Sequence, residues 1–486
     1  MFLPALAVTV ALVVQDQTPL RASAHDSAPR QAMLTQGDWL EVRGERQGYV
    51  QVYDHRRERP GYVRPGAVRR YEVDEATAPK LGTLVEYLED MTGAESLGIG
   101  YAALFLRAAP AGSIGPEIFD AIGRMAERLA RRASARTAKA GDGAMGAQLE
   151  TAEGYGVHFV SFDKQGQTRV CYDGEAWKRV LSLGGNGPER ARAALGLSDP
   201  ACLDPALGPS EALGVTRSQA AAVDAVDRSK LGPEVGGSEV ARLRVRRATV
   251  HAELAYFAAR TGDATFARES ADVAKRELML AERAQLADDD RLAYDEAAMR
   301  VATVRWASEA PPAQATTAAH GLEIAIAAGE PGQTCVRVKR AADAHPFEHC
   351  TYAVVWPSSV RIAPHESAVA MVTQPLVGWS ELLVLRPSQG TWSAETLAPA
   401  AIDPDLGYVE LAGFTPDGAH LLVARESRAS GPLGSPNTLA PWAQKAFQLV
   451  ATSDLHVEKQ ATSLASFGSF RRWESPEWRG GTLALR

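Results

Sequence analysis

The sequence predicts a multidomain α+β chain with three parts: a small β-barrel near the N-terminus, an α-helical middle and a C-terminal antiparallel β domain. Three observations carry this. Between residues 19 and 71 short apolar alternations of period two are broken by turn residues. From Leu81 to residue 307 the apolar period becomes 3.6. Beyond Pro311-Pro312, a linker signal, short strand-like runs return and dominate to the C-terminus. A chain of 486 residues leads to an expectation of two to four domains. The predicted bounds are a signal peptide at 1–16, the barrel at 17–72, a mainly helical domain at 73–310 and the β domain at 320–486.

Within the barrel, Leu40 and Val42 point one way and Trp39 and Glu41 the other. Val50 and Val52 alternate likewise with Tyr49, Gln51 and Tyr53. Gly37-Asp38, Gly48 and Pro60-Gly61 read as turns. About 50 residues hold only a thin core. Closing the sheet into a barrel would remove its edges.

The order of these pieces resembles a bacterial SH3-like (SH3b) domain. The resemblance rests on Leu20-Arg21, on Gly37-Asp38-Trp39-Leu40, on Gly48-Tyr49-Val50-Gln51-Val52 and on Gly61-Tyr62-Val63. It covers about a tenth of the chain and implies an SH3-like barrel that binds cell-wall polymer or protein outside the cytoplasm. The aromatic residues Trp39, Tyr49, Tyr53 and Tyr62 are the candidate ligand-binding set. The linker His55-Arg56-Arg57-Glu58-Arg59 is more charged than that pattern.

Residues 2–14 are almost wholly apolar. The run is too short for a transmembrane helix and suits the core of a signal peptide. It lacks a basic start and a clean Ala-x-Ala, and a buried strand is its other reading. The SH3-like pieces just after it favour export. The net charge of −7 gives no reason to expect a nucleic-acid partner, and no integral membrane span is expected. Cys171, Cys202, Cys335 and Cys350 are an even set, which in an exported chain favours disulfides. Four cysteines allow three pairings. Cys171–Cys202 and Cys335–Cys350 are preferred, because each pair lies in one predicted domain. The expected compartment is periplasmic or secreted.

The middle begins with a helical face at Leu81, Leu84, Val85 and Leu88, followed by a short apolar helix at 97–106. A third helix starts after Gly115-Pro116, with proline in its first turn. Its arginine-rich end, 124–139, reads as a solvated face, or as a contact for an acidic partner or anionic lipid. Residues 141–146 are a flexible break and 156–172 a β-hairpin turning at 163–166. Helices follow at 175–181 and near 188–195. Leu183-Gly184-Gly185-Asn186-Gly187 is a turn, since it lacks the Lys-Ser/Thr of a phosphate loop. Residues 238–307 are nearly unbroken helix, pausing at Thr261-Gly262-Asp263. Leu254, Ala255, Tyr256, Ala258, Phe266, Ala267, Ala271 and Ala274 are spaced in a way that resembles a single tetratricopeptide-like unit. One such unit implies either plain bundle packing or a peptide-holding groove.

In the C-terminal part, residues 360–372 match 411–423 in shape, and 473–485 form a weaker third copy. Phe414-Thr415-Pro416-Asp417-Gly418 resembles the blade motif of TolB-type propellers, which implies a propeller-like domain with a strand turn at Pro416-Asp417-Gly418. Strand pairs are expected at 381–385 with 392–397, and at 446–451 with 456–460. Three copies are fewer than a closed ring needs, so either a further blade lies near 322–356 or the sheet is open. Trp379, Trp392, Trp473 and Trp478 rim a groove or fill blade cores.

The spacing of Cys335, His345, His349 and Cys350 could hold zinc, but a hairpin disulfide is simpler. Asp288-Asp289-Asp290 lacks a calcium loop's spaced oxygens and suits a helix start. No His-Glu-x-x-His, no Gly-x-Ser-x-Gly and no flanked catalytic cysteine occurs. The sequence therefore points to an exported binding or assembly protein of the bacterial envelope, with no cofactor or metal and no enzyme activity. An envelope peptidoglycan hydrolase, or a degenerate relative of one, is the alternative.

Overall fold

The computed structural model describes residues 9–136, 143–164, 166–226, 231–309, 321–340, 343, 345–388, 390–400, 406–428 and 443–481. They form two compact units. The first is Met1–Ala206 with Ala222–Val235, and the second is Leu207–Ala221 with Gly236–Arg486. The helices expected as one middle domain are thus shared between the units.

The first unit opens with seven strands: β1 (Thr9–Val13), β2 (Thr18–Arg21), β3 (Arg30–Leu34), β4 (Trp39–Arg46), β5 (Tyr49–Asp54), β6 (Arg59–Val63) and β7 (Val68–Glu72). Their order is β3-β2-β6-β5-β4-β1-β7, all antiparallel. Ala11, Val13, Leu20, Leu34, Leu40, Val50, Val52, Val63 and Val68 share one core. Leu34 and Val68 come from the two end strands, so the sheet curls on itself. Among the described residues its hydrogen bonding nevertheless ends at β3 and β7, and the closed barrel expected from the sequence is not formed. Both end strands are only five residues long, which limits the edge each exposes.

Strand β1 corrects the reading of residues 9–13 as part of a cleaved signal core. It lies between β4 and β7. Its Ala11 and Val13 enter the sheet core, while Val10 and Leu12 enter the helical core behind it. A strand covered on both faces reads as an unbroken apolar run, which is the same signal that an export leader gives. Among the described residues the sheet accordingly begins with Thr9, ahead of the expected residue 17. Gly61 is corrected too: it lies within β6, where a Cβ would stand 2.5 Å from Leu20. Gly37 does form a turn, at φ +93°, pressed so close to the Ser96 carbonyl that a Cβ would lie 2.2 Å from it.

Behind the sheet pack α1 (Ala78–Leu88), α2 (Glu95–Ala108), α3 (Pro116–Arg136) and α4 (Gly143–Glu153). The hairpin β8 (Phe159–Lys164) and β9 (Gln167–Tyr172) follows, then α5 (Glu175–Leu183) and α6 (Gly187–Leu197). Leu81, Val85, Leu88, Ile99, Ile122, Met125 and Leu129 meet in their core at the predicted helical spacing. Residues 143–146, expected as a break, belong to α4; 137–142 lie outside the described residues. Asn186 caps α6 in a reciprocal box with Glu189.

The arginine-rich end of α3 is not a free solvated face. Arg124, Arg128 and Arg132 recur every fourth residue. Arg124 pairs with Glu89 at 2.6 Å, and Arg128 with the fully buried Glu95 at 2.7 Å, which Arg132 also holds. A buried carboxylate needs such partners, since an unpaired one is costly.

The second unit starts with part of α7 (Pro209–Asp224), then α8 (Gly237–Arg260), α9 (Ala264–Leu280) and α10 (Asp288–Val304). The pause at 261–263 is as predicted. Gly262 takes φ +87° and the Asp263 carboxylate accepts the Phe266 amide at 3.0 Å. Strands β10 (Leu322–Ala328), β11 (Thr334–Arg340) and β12 (Phe347–Thr351) make a separate three-stranded sheet. The remaining strands are β13 (Val354–Val355), β14 (Arg361–Ile362), β15 (Val369–Leu376), β16 (Trp379–Ser388), β17 (Thr391–Leu397), β18 (Gly407–Phe414), β19 (His420–Arg428), β20 (Ala443–Ala451) and β21 (Val457–Ala461). They join in one nine-stranded sheet. It consists of two antiparallel meanders, β14 to β17 and β18 to β21, linked by a single parallel bridge between Trp379 and Gly407, with the short β13 pairing antiparallel to β15 beside β14.

The first two predicted copies are the β14–β15 and β18–β19 corners of these meanders. Their turns touch: the Ser367 hydroxyl donates to the Gly418 carbonyl at 2.8 Å. The third copy is not a strand pair. Its described part belongs to the short helices α11 (Gly468–Trp473) and α12 (Pro476–Gly481). Phe470 and Trp478 bring them into a core with Tyr408, Leu422 and Met299 of α10.

Both preferred disulfides are formed, Cys171–Cys202 and Cys335–Cys350. The second joins directly opposed residues of β11 and β12.

Candidate functional site

Two surfaces have the composition of a binding site, one in each unit. The first is the outer face of the N-terminal sheet. Glu41 pairs with Tyr53, and Gln51 with Tyr62, across neighbouring strands. Directly paired residues share a face. Tyr49, Tyr53 and Tyr62 therefore stand opposite the core set of Val50, Val52 and Val63, and Trp39 stands opposite Leu40.

Trp39 and Tyr53 are brought together through His55. The Trp39 and His55 rings stack at 6.3 Å, and Tyr53 meets His55 edge-on at 4.9 Å. Arg107 of α2 lies 5.0 Å over Trp39, and Arg43 lies 5.7 Å over Tyr53. Glu41 accepts from His55 at 2.7 Å and from Arg43 at 2.9 Å. The result is a row of flat rings flanked by guanidinium groups. Trp39 is also packed against the helical core, and His55 is the exposed member of the row.

Tyr49 is drawn elsewhere. Its hydroxyl donates to Asp26, which Arg64 also grips, with Nε at 3.0 Å. Tyr62 stands beside Gln51 and Arg21 on the same face. Sequence reasoning missed His55, Arg43 and Arg107. The charged linker was the signal, but most of its charge is used internally. Arg57 pairs with Asp54 at 2.8 Å and Asp38 at 3.1 Å, and Arg56 with Asp38 at 3.4 Å.

Hydrogen bonds from Arg64 and Tyr49 hold the Asp26 carboxyl at about 2, below its ordinary 3.8. A lowered carboxyl pKa stabilises the folded clamp above 3.8, and that contribution is lost as pH falls through about 2. A carbon-detected NMR titration should therefore give Asp26 a midpoint near 2, moving toward 3.8 in Tyr49→Phe and Arg64→Ala. A wild-type midpoint at 3.8 contradicts the clamp.

The second surface is a cleft of about 750 Å³ in the second unit. It lies among the α8–α9 turn (Arg260, Gly262, Ala264, Ala267, Arg268), Trp306 and Glu309, the β10–β11 end, and residues 353–358. That volume is typical of pockets for small molecules or short peptides. The four C-terminal tryptophans do not rim it. Trp379, Trp392 and Trp478 are buried core and Trp473 is half-buried against Phe470 and its neighbours.

All four cysteine sulfurs are consumed by disulfides, so none is available as a thiolate nucleophile. Cys335, Glu348 and Cys350 lie close enough to share an ion, but the two sulfurs are bonded to each other and cannot ligate as thiolates. Among the described residues, no helix is long and apolar enough to cross a membrane.

No protein-family model matches the chain, and comparison with curated proteins and with solved structures finds no match. The functional reading rests on the residues themselves.

Proposed function

We propose that the chain is an exported, non-enzymatic binding or assembly component of the bacterial envelope, in which an SH3-like N-terminal module contacts cell-wall polymer or an envelope protein. The single observation that carries this reading is the outer row of Trp39, His55 and Tyr53 flanked by Arg43 and Arg107. Flat rings stack on sugar faces or on peptide groups, and guanidinium groups pair with carboxylates, which cell-wall polymer carries in number. Two disulfides support a periplasmic or secreted location. The two linked meanders of the C-terminal part support a propeller-like, surface-presenting role for that region.

Retention of the purified chain by isolated cell wall or by immobilised envelope extract tests the reading, and retention by neither counts against it. Zymography on cell wall separates it from an envelope hydrolase, since clearing would show bond cleavage. Thiol titration of the native protein should find no free thiol. Four free thiols would instead indicate a cytoplasmic scaffold.

A further inference from the structure

We infer that the cleft of the second unit is a peptide-binding site of its own, which takes an extended, acidic segment of a partner protein as a strand added to the free edge of β10. The inference stands on the second unit alone and does not depend on the aromatic face of the first.

Three observations combine. Strand β10 pairs with β11 on one side and has no pairing on its other side among the described residues. An unpaired edge presents a row of backbone donors and acceptors to an incoming strand. Ile326, Ala327 and Ala328 of β10 all line the cleft. Successive strand residues point to opposite faces, so three in a row bordering one space place it around the end of β10, where the turn residues Gly332 and Gln333 and Thr334 of β11 also border it.

The walls suit a chain rather than a compact polar ligand. Ala264, Ala267, Ala327, Ala353, Val354 and Val355 give a smooth apolar lining with room for alternate side chains. The ring of Trp356 adds to it, and its Nε1 is already used, donating to Gln374 at 3.1 Å. Peptides that add to a sheet edge draw affinity from main-chain hydrogen bonds and selectivity from pockets for every second side chain.

The charge at the mouth selects the sign. Arg260 and Arg268 both line the cleft. Arg260 is fixed across it by donating to the Gly332 carbonyl at 2.9 Å. Arg268 is exposed, one helical turn along α9 from Ala264. The acid in the lining, Glu309, is paired with Arg305 at 3.2 Å. An incoming carboxylate therefore meets two guanidinium groups, whereas an incoming ammonium meets their repulsion.

Fluorescence anisotropy with the full chain tests this, using a fluorescein-labelled hexapeptide of alternating valine and aspartate. Two controls are a lysine-for-aspartate peptide and the acidic peptide N-methylated at alternate backbone amides. The acidic peptide should bind at least about tenfold tighter than the basic one, and N-methylation should weaken it by a similar factor. Arg268→Glu should weaken it about tenfold, and Ala264→Trp, which fills the mouth from an exposed helix start, should abolish binding. Both variants should keep the near-UV circular dichroism of the parent chain. Absence of binding by any peptide, equal binding of acidic and basic peptides, or binding untouched by Ala264→Trp would overturn the inference.

Discussion

Removing residues 1–16 leaves the N-terminal sheet unable to hold together. The deletion takes out β1, which hydrogen-bonds to β4 on one side and β7 on the other. Strand β7 loses its only partner in the sheet order, and β4 gains an open edge. Two cores are opened at once, because Ala11 and Val13 serve one and Val10 and Leu12 the other. All four side chains are fully buried. Truncating one buried leucine typically costs about 2–5 kcal/mol, so Leu12→Ala alone uses a large share of a domain's usual stability of about 5–15 kcal/mol. The deletion removes several such residues together with two ladders. Hydrogen exchange of the Val50 and Val52 amides reports on this directly. They should be protected in the full chain, less so in Leu12→Ala, and unprotected after the deletion. Protection that survives the deletion would show that β1 is dispensable.

Replacing Arg305 by alanine destabilises the second unit by about 3–5 kcal/mol, the usual cost of leaving a buried charge without its partner. Arg305 is 2% exposed and Glu410 1%. Their Nε and Oε1 atoms lie 3.0 Å apart but are not aligned as a hydrogen bond, so the attraction is chiefly ionic. Trp478 donates its Nε1 to the other oxygen of Glu410 at 2.7 Å, and Arg305 lies 4.0 Å over the Trp306 ring. The pair thus ties the end of α10 to β18 and α12. Removing both charges together is milder than removing one, because Glu410 leaves with its partner and only the partly exposed Glu309 and the Trp478 Nε1 lose a contact. Urea unfolding of Arg305→Ala and of Arg305→Met with Glu410→Leu should show a large loss in the first and recovery of most of it in the second. Equal losses would mean that packing, not charge, sets the effect.

How far the sequence can be read follows from what each element packs against. Amphipathic helices announce themselves, as Ile118, Ile122, Met125 and Leu129 do in α3. So do strands with one face in water, such as β5, where Val50 and Val52 alternate with three half-buried partners. Strand β1 was misread because burial on both faces erases the alternation. The arginines of α3 looked solvated because their partner Glu95 stands about 30 residues earlier, and periodicity carries no information on such a distant contact. The third copy failed because Trp473 and Trp478 are equally able to fill a core from a helix or a strand.

The candidate surfaces differ in the same way. Four aromatics on alternate positions of paired strands are legible as one face. That Tyr49 is diverted to Asp26, and that His55 joins Trp39 to Tyr53, depends on loop geometry. A peptide-holding groove was one of two readings of residues 238–307, but the place of the cleft was not legible, since its walls come from residues near 260, 306, 328 and 355, which only the fold brings together.

Co-sedimentation with purified cell wall, comparing the full chain with Trp39→Ala, Tyr53→Ala and the pair together, bears most directly on the N-terminal module as a binding surface. Each single change should weaken retention by about tenfold, in line with the loss of one aromatic anchor from a binding surface. The pair should leave only background, with the sheet still folded by hydrogen exchange at Val50 and Val52. Undiminished retention by the folded double variant would place binding elsewhere on the chain.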